Sequence, residues 1–181
     1  MKAKIYSISE LFLLISRVMK KLDFKPHKSK DDFRKNYKLH DLAENHGKNL
    51  LTQWGIDFEE FGKDKRFEKL WEKGEDKPDL IINIGEQKFL LDWKSKHKSK
   101  WILNKRAYDS YINWSNKFST KVIIAFFVFD ENNKLSERKF AVINKHPVKE
   151  NTEKQWDKNS TIEFSDELPD FTKSNLVNQL L

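Results

Sequence analysis

Cysteine is absent from all 181 residues, which excludes disulfide staples, cysteine-ligated zinc and a thiol nucleophile. A chain without thiols suits a reducing compartment, so a cytoplasmic location is the expectation. Glycine and proline are scarce, at 5 and 4 residues, which excludes collagen-like and Pro/Gly-rich disordered architectures. Long hydrophobic runs are missing too. The most apolar stretch, 5–18, is interrupted by Glu10 and Arg17 and is too short to span a bilayer. It also lacks the small-residue cleavage site of a signal peptide, so a packed amphipathic helix is expected there and no membrane contact.

What the chain does have is charge and aromatic bulk. Charged residues make up 35% and hydrophobic ones 38%, with 13% aromatic. That is enough apolar material for a packed core, and the length suits one domain with short additions at its ends. The net charge is +7 with a pI near 9.3. A basic surplus attracts polyanions such as nucleic acid, although lysine-rich coding bias produces the same surplus.

The order of elements follows from periodicity. Ser7 or Ser9 caps a first helix to about Leu22, and 24–30, with Pro26, reads as a connector. A second helix is predicted from about Asp31 to Trp54, with Leu39, Leu42, Ala43, His46, Leu50 and Trp54 on its apolar stripe and Gly55 at its end. The stretch 56–61 alternates like a half-buried strand, and 62–77 reads as a charged loop with a helical turn near 67–71. Two strands, 79–84 and 87–93, flank Gly85-Glu86, which suits a two-residue hairpin turn. After a basic loop at 95–100, a helix is predicted over 103–118, with Ala107, Tyr108, Tyr111 and Trp114 on one side. The almost wholly apolar 122–129 reads as a strand buried on both faces. Further edge strands are expected at 140–143 and 161–164, and a short helix in the last ten residues. The expected fold is therefore α/β: a mixed central sheet flanked by helices in the order α-β-β-β-α-β, with extra C-terminal strands. Three parts follow: 1–30 as helix and connector, 31–130 as core, and 131–181 as an extension packed on it.

The hairpin carries the chemistry. A turn at Gly85-Glu86 sets Ile84 opposite Gln87, Ile81 opposite Leu90 and Asp79 opposite Asp92. Directly opposed side chains share a sheet face at roughly 4.5–5.5 Å between Cβ atoms. Two ionised carboxylates at that range repel unless a proton, a basic group or a metal ion intervenes. Lys94, two residues past Asp92, projects from the same face. Leu80, Ile82, Ile84, Phe89, Leu91 and Trp93 form the opposite, apolar face. From the residues alone two readings stand: a polar site at the sheet margin, or a carboxylate–lysine salt bridge. A carboxylate two residues before a lysine recurs at Asp23, Glu75, Glu86 and Glu137, so the spacing alone says little.

The phrase PDLIINIGEQKFLLDWKSK, from Pro78 to Lys96, resembles the PD-(D/E)XK motif of a nuclease superfamily with a restriction endonuclease-like or Holliday junction resolvase-like core. The resemblance covers about residues 31–130. It implies hydrolysis of phosphodiester bonds with Mg²⁺ or Mn²⁺, in DNA before RNA and as an endonuclease before an exonuclease. It further implies Asp79, Asp92 and the Trp93 carbonyl as metal ligands, and Lys94 as the group that orients or deprotonates water and stabilises negative charge. The glutamate that such proteins often place on the first core helix would be Glu44, also a metal ligand, with Gly47 one turn on leaving room. Glu60 and Glu75 are weaker alternatives, and His40 and His46 are accessories. Lys96, Lys98 and Lys100, with His97 and Trp101, either grip phosphates and stack a base or form a solvated loop. Lys105, Arg106 and Tyr108 are further contacts, Tyr108 being equally suited to the core. A homodimer would suit paired cuts on two strands. The alternatives are a non-catalytic nucleic-acid-binding protein and an assembly subunit.

Overall fold

The computed structural model describes residues 30–62, 76–156, 159–164 and 167–181. The helix expected at 7–22, the turn at 67–71 and Glu75 lie outside them. Helix α1 (Lys30–Gln53) leads into β1 (Phe58–Glu60), then β2 (Leu80–Ile84) and β3 (Gln87–Lys96). A short strand β4 (Ile102–Asn104) precedes α2 (Lys105–Phe118) and β5 (Val122–Phe129). The chain continues with β6 (Leu135–Val142), β7 (Val148–Trp156), β8 (Asn159–Phe164) and α3 (Lys173–Leu180). The fold is mixed α/β, and the expected α-β-β-β-α-β order is present with β4 inserted before the second helix. No described helix is long and apolar enough to cross a membrane.

The main sheet runs β1-β2-β3-β5-β6, and a second runs β4-β8-β7. Among the described strands only β3 and β5 pair in parallel, because α2 carries the chain back across the sheet between them. Every residue of β5 is buried, as its unbroken apolar sequence requires of a strand covered on both faces. One face buries Leu80, Ile82, Ile84, Phe89, Leu91 and Trp93 against α1 and α3. The other buries Leu90, Ile124 and Phe126 against α2 and residues of the second sheet. The hairpin register is the one counted from the turn: Ile84↔Gln87, Ile81↔Leu90, Leu80↔Leu91. Gly85 takes φ +61°, a value the turn needs and glycine tolerates without strain.

Several boundaries differ from expectation. Strand β3 continues to Lys96 instead of ending at Trp93, because Ser95 and Lys96 find β5 partners in Phe127 and Val128. The helix starts at Lys105, not at residue 103, since Asn104 caps it by accepting the Arg106 N–H at 2.9 Å. Strand β7 was not expected at all. Its run of lysines, glutamates and asparagine hides its strand character, which comes from pairing with β8. That pairing, with β4 on the other side, makes β8 a central strand and not an edge.

On α1 the buried line passes through Leu39, Ala43, Gly47 and Leu51, while His46 is exposed beside Phe129. Gly47 makes room for Trp93, not for Glu44: a Cβ there would lie 2.4 Å from two ring carbons of that wholly buried indole. Gly47→Ala gains about 1 kcal/mol of helix propensity. It also overpacks a ring that cannot retreat, a cost of about 1–3 kcal/mol or more. A net loss of stability is expected, read as a lower urea midpoint with an unchanged slope.

Candidate active site

The end of the β2–β3 hairpin is built by a change in hydrogen bonding at Asp79. Its N–H still donates to the Leu91 carbonyl at 3.0 Å, but its carbonyl turns away and accepts from Phe61 and Gly62 at 2.8 and 3.2 Å. The side chain takes over the ladder position: Asp79 Oδ2 accepts the Trp93 N–H at 2.8 Å. Strand β2 therefore begins only at Leu80, and the Asp79 carboxyl is turned toward β3 as the backbone leaves it.

Asp92 and Lys94 point to the α2 side of β3. Asp92 is 2% exposed. Tyr111 of α2 donates its hydroxyl hydrogen to Asp92 Oδ1 at 2.8 Å. Lys94 Nζ forms an ion pair with Asp92 Oδ2 and donates to the Tyr111 hydroxyl oxygen at 3.0 Å. The three side chains close a small ring of charge and hydroxyl inside the protein. Both Asp92 oxygens are thereby engaged, Oδ1 by the Tyr111 hydroxyl and Oδ2 by the Lys94 ammonium.

The electrostatics are those of too many negative charges in a dry place. Burial first, then the charge of Asp92, raises the Asp79 carboxyl to about 8, with Glu44 adding to the rise and Lys94 and the Trp93 N–H opposing it. Burial alone would lower Lys94, but Asp92, Tyr111 and Asp79 more than offset it and hold the ammonium well above its ordinary value. Burial and the neighbouring Asp92 likewise keep Tyr111 a neutral phenol.

Glu44 of α1 thus acts on Asp79 as a charge, and it is itself held. Lys48 bonds Glu44 Oε1 at 2.7 Å and also contacts Glu60 of β1. Among the described residues, no three His, Cys, Asp or Glu side chains converge as a ready cage for a metal. A hard divalent ion needs fewer: Mg²⁺ binds through one or two carboxylates and keeps several waters. Asp79, raised by burial and then by the charge of Asp92, and Asp92 itself supply two neighbouring carboxylates, which fits that requirement.

The remaining sequence candidates fall into two groups. Lys98 and Lys100 are exposed in the loop after β3. Lys96 donates to the Ile102 carbonyl at 2.9 Å and lies over the Phe126 ring. Lys105 pairs with Asp109 and Arg106 with Asp76. His97 Nδ1 stands 3.4 Å from the Phe129 carbonyl. Trp101 does not stack a base: it is 3% exposed and packs on Phe126. Tyr108 is core, against Phe164. His40 is half-buried on α1. Tyr111 is the residue that sequence reasoning placed only in the core. A signal existed, because a tyrosine on the buried face of a helix must find a partner for its hydroxyl.

No family model matches the sequence, and no curated protein matches it. Among solved structures, the 1.6 Å structure of Archaeoglobus fulgidus Hjc, a Holliday junction resolvase from an archaeal hyperthermophile, is similar with a TM-score of 0.45 and 12% identity. The likeness covers 67% of this chain and 85% of that one. At that level it bears on neither activity nor substrate.

Proposed function

We propose that this protein is a Mg²⁺- or Mn²⁺-dependent nuclease that hydrolyses phosphodiester bonds, in DNA before RNA and by endonucleolytic cutting. One observation carries the reading: Asp79, Asp92 and Lys94 gather at one end of a hairpin, where burial and then the charge of Asp92 raise Asp79 to about 8. A structural salt bridge has no use for a second, half-buried carboxylate. Asp79 and Asp92, with the Trp93 carbonyl, would hold the ion, and Glu44 would contribute from α1 if it exchanged Lys48 for it. A bound divalent ion supplies Lewis acidity to the phosphate and lowers the pKa of coordinated water.

The chain's own groups do the rest. Lys94 stays an ammonium at neutral pH, so its role is to neutralise charge developing on phosphate and not to deprotonate water. Tyr111 fixes both partners of that pair, so that the charge is aimed before substrate arrives. Lys98 and Lys100, four and six residues beyond Lys94, would grip backbone phosphates and position the strand without reading its sequence.

A non-catalytic nucleic-acid binder is the second reading, favoured by the hold of Lys48 on Glu44. A panel of labelled single-stranded, duplex, branched and RNA substrates with Mg²⁺ or Mn²⁺ decides between them. Cleavage of at least one form is expected, reduced at least 10³-fold in Asp92→Asn, which keeps the hydrogen bond from Tyr111. Folded protein that binds Mn²⁺ and leaves every form uncut would leave the binder standing.

A further inference from the structure

The approach to Asp79 is hung on α2 by one residue. The Asp76 N–H donates to Ser110 Oγ at 3.3 Å, and the Asp76 carbonyl accepts from Trp114 Nε1 at 3.1 Å. The Asp76 carboxylate accepts twice from Arg106, Nε to Oδ2 at 3.0 Å and Nη2 to Oδ1 at 3.2 Å. Backbone donor, backbone acceptor and side chain of Asp76 are thus all taken by residues 106, 110 and 114. These lie four apart, along one line of the helix surface. Lys77 follows, 5.9 Å from the Trp114 ring, and then buried Pro78 with its fixed φ. Asp79 comes next. On the neighbouring line of the same helix Tyr111 holds Asp92.

We propose that Arg106, Ser110 and Trp114 are positioning residues for Asp79, acting through Asp76, and that Arg106 serves this purpose instead of contacting substrate. The proposal rests on the site reading above. Its physical basis is that the Asp79 N–H, bonded to Leu91, is where the sheet's hold begins, while residues 76–78 that lead to it belong to no strand. Placing a carboxyl beside Asp92 is uphill, and an untethered approach would let Asp79 swing out to water. One helix that grips both Asp76 and Asp92 sets the separation of the two carboxyls. Arg106 is 54% exposed, and a pair so open adds little to global stability. Its effect belongs in the geometry of Asp79, which makes the two roles separable.

The test is Mn²⁺ uptake by the full chain, followed through the EPR signal of free Mn²⁺, beside amide exchange and thermal melting. Arg106→Ala is expected to weaken Mn²⁺ binding about tenfold, the scale for losing a group that orients a ligand, with little change in melting temperature. Arg106→Lys should recover part of the loss, and the Asp76→Arg/Arg106→Asp exchange most of it. Trp114→Phe, which keeps an aromatic side chain but is smaller and lacks the donor, should act in the same direction. In metal-free Arg106→Ala, the Asp79 amide should exchange faster while that of Ile82 does not change. Mn²⁺ affinity and Asp79 exchange equal to wild type overturn the proposal, all the more if binding to DNA without metal falls instead. If wild type takes up no Mn²⁺, the site reading falls, and the Asp79 exchange rate alone decides whether the helix positions this residue.

Discussion

Asp79→Asn is expected to stabilise the metal-free protein at pH 8–9 while abolishing divalent-metal-dependent cleavage. The folded carboxyl ionises near 8 against an ordinary 3.8. Between those values the folded chain keeps a proton that the unfolded chain has released. Wherever the native state binds more protons, stability falls as pH rises. The favourable contribution of this group is therefore complete below about pH 4, fades through the neutral range and is gone above about 8. Asparagine keeps an oxygen for the Trp93 N–H and carries no charge, so it removes this slope. The variant should match wild type near pH 4 and exceed it by on the order of 1–3 kcal/mol at pH 8–9. Urea denaturation across that pH range measures the difference, and the same preparations assayed with Mn²⁺ should show at least a 10³-fold loss of cleavage. A variant less stable than wild type at pH 9 would mean that Asp79 is held there by its charge, as in a structural ion pair.

Asp92→Ala, by contrast, is expected to cost about 3–5 kcal/mol of stability in addition to activity, because it leaves the Lys94 ammonium, three-quarters covered, without its partner. Lys94→Met should fall in the same range, for it strands Asp92 beside Asp79. The double variant Asp92→Leu/Lys94→Met removes both charges and should recover most of the loss, a coupling that a double-mutant cycle measures directly. It should remain inactive. Single losses that simply add in the double variant would show that the two side chains do not depend on each other. The consequence for assays is practical: Asp92→Ala confounds unfolding with lost chemistry, Asp92→Asn does so in part because it too leaves Lys94 without a countercharge, and Asp79→Asn does not.

The division between what could be read early and what could not has a common cause. Local pattern carried the hairpin. Alternation over 80–93 sorted the two faces, and a two-residue turn at Gly85-Glu86 fixed the register, because a one-residue slip would have exposed the whole apolar set. Carried one residue further, that register sets 79 against 92 and Lys94 on the same side; in the structure the ladder ends at Leu80↔Leu91, and Asp79 meets β3 through its N–H to Leu91 and its side chain to Trp93. The buried run 122–129 announced a covered strand, and its parallel partner followed from the helix between them. Strand β7 escaped, since a strand made of Lys, Glu and Asn is defined by its neighbour and not by its own composition.

By itself, then, the sequence determined the α/β order, the hairpin and the meeting of an acid pair with a lysine, all of which depend on separations of a few residues and on periods of two and 3.6. Tertiary structure alone decided that Gly47 exists for Trp93 and that Lys48 holds Glu44. It also decided that Tyr111 completes the ring around Asp92, and that Arg106 reaches back thirty residues to Asp76. Each of these joins side chains from different elements, and which atoms meet across such a gap is set by how the helices settle on the sheet, information that no local pattern contains.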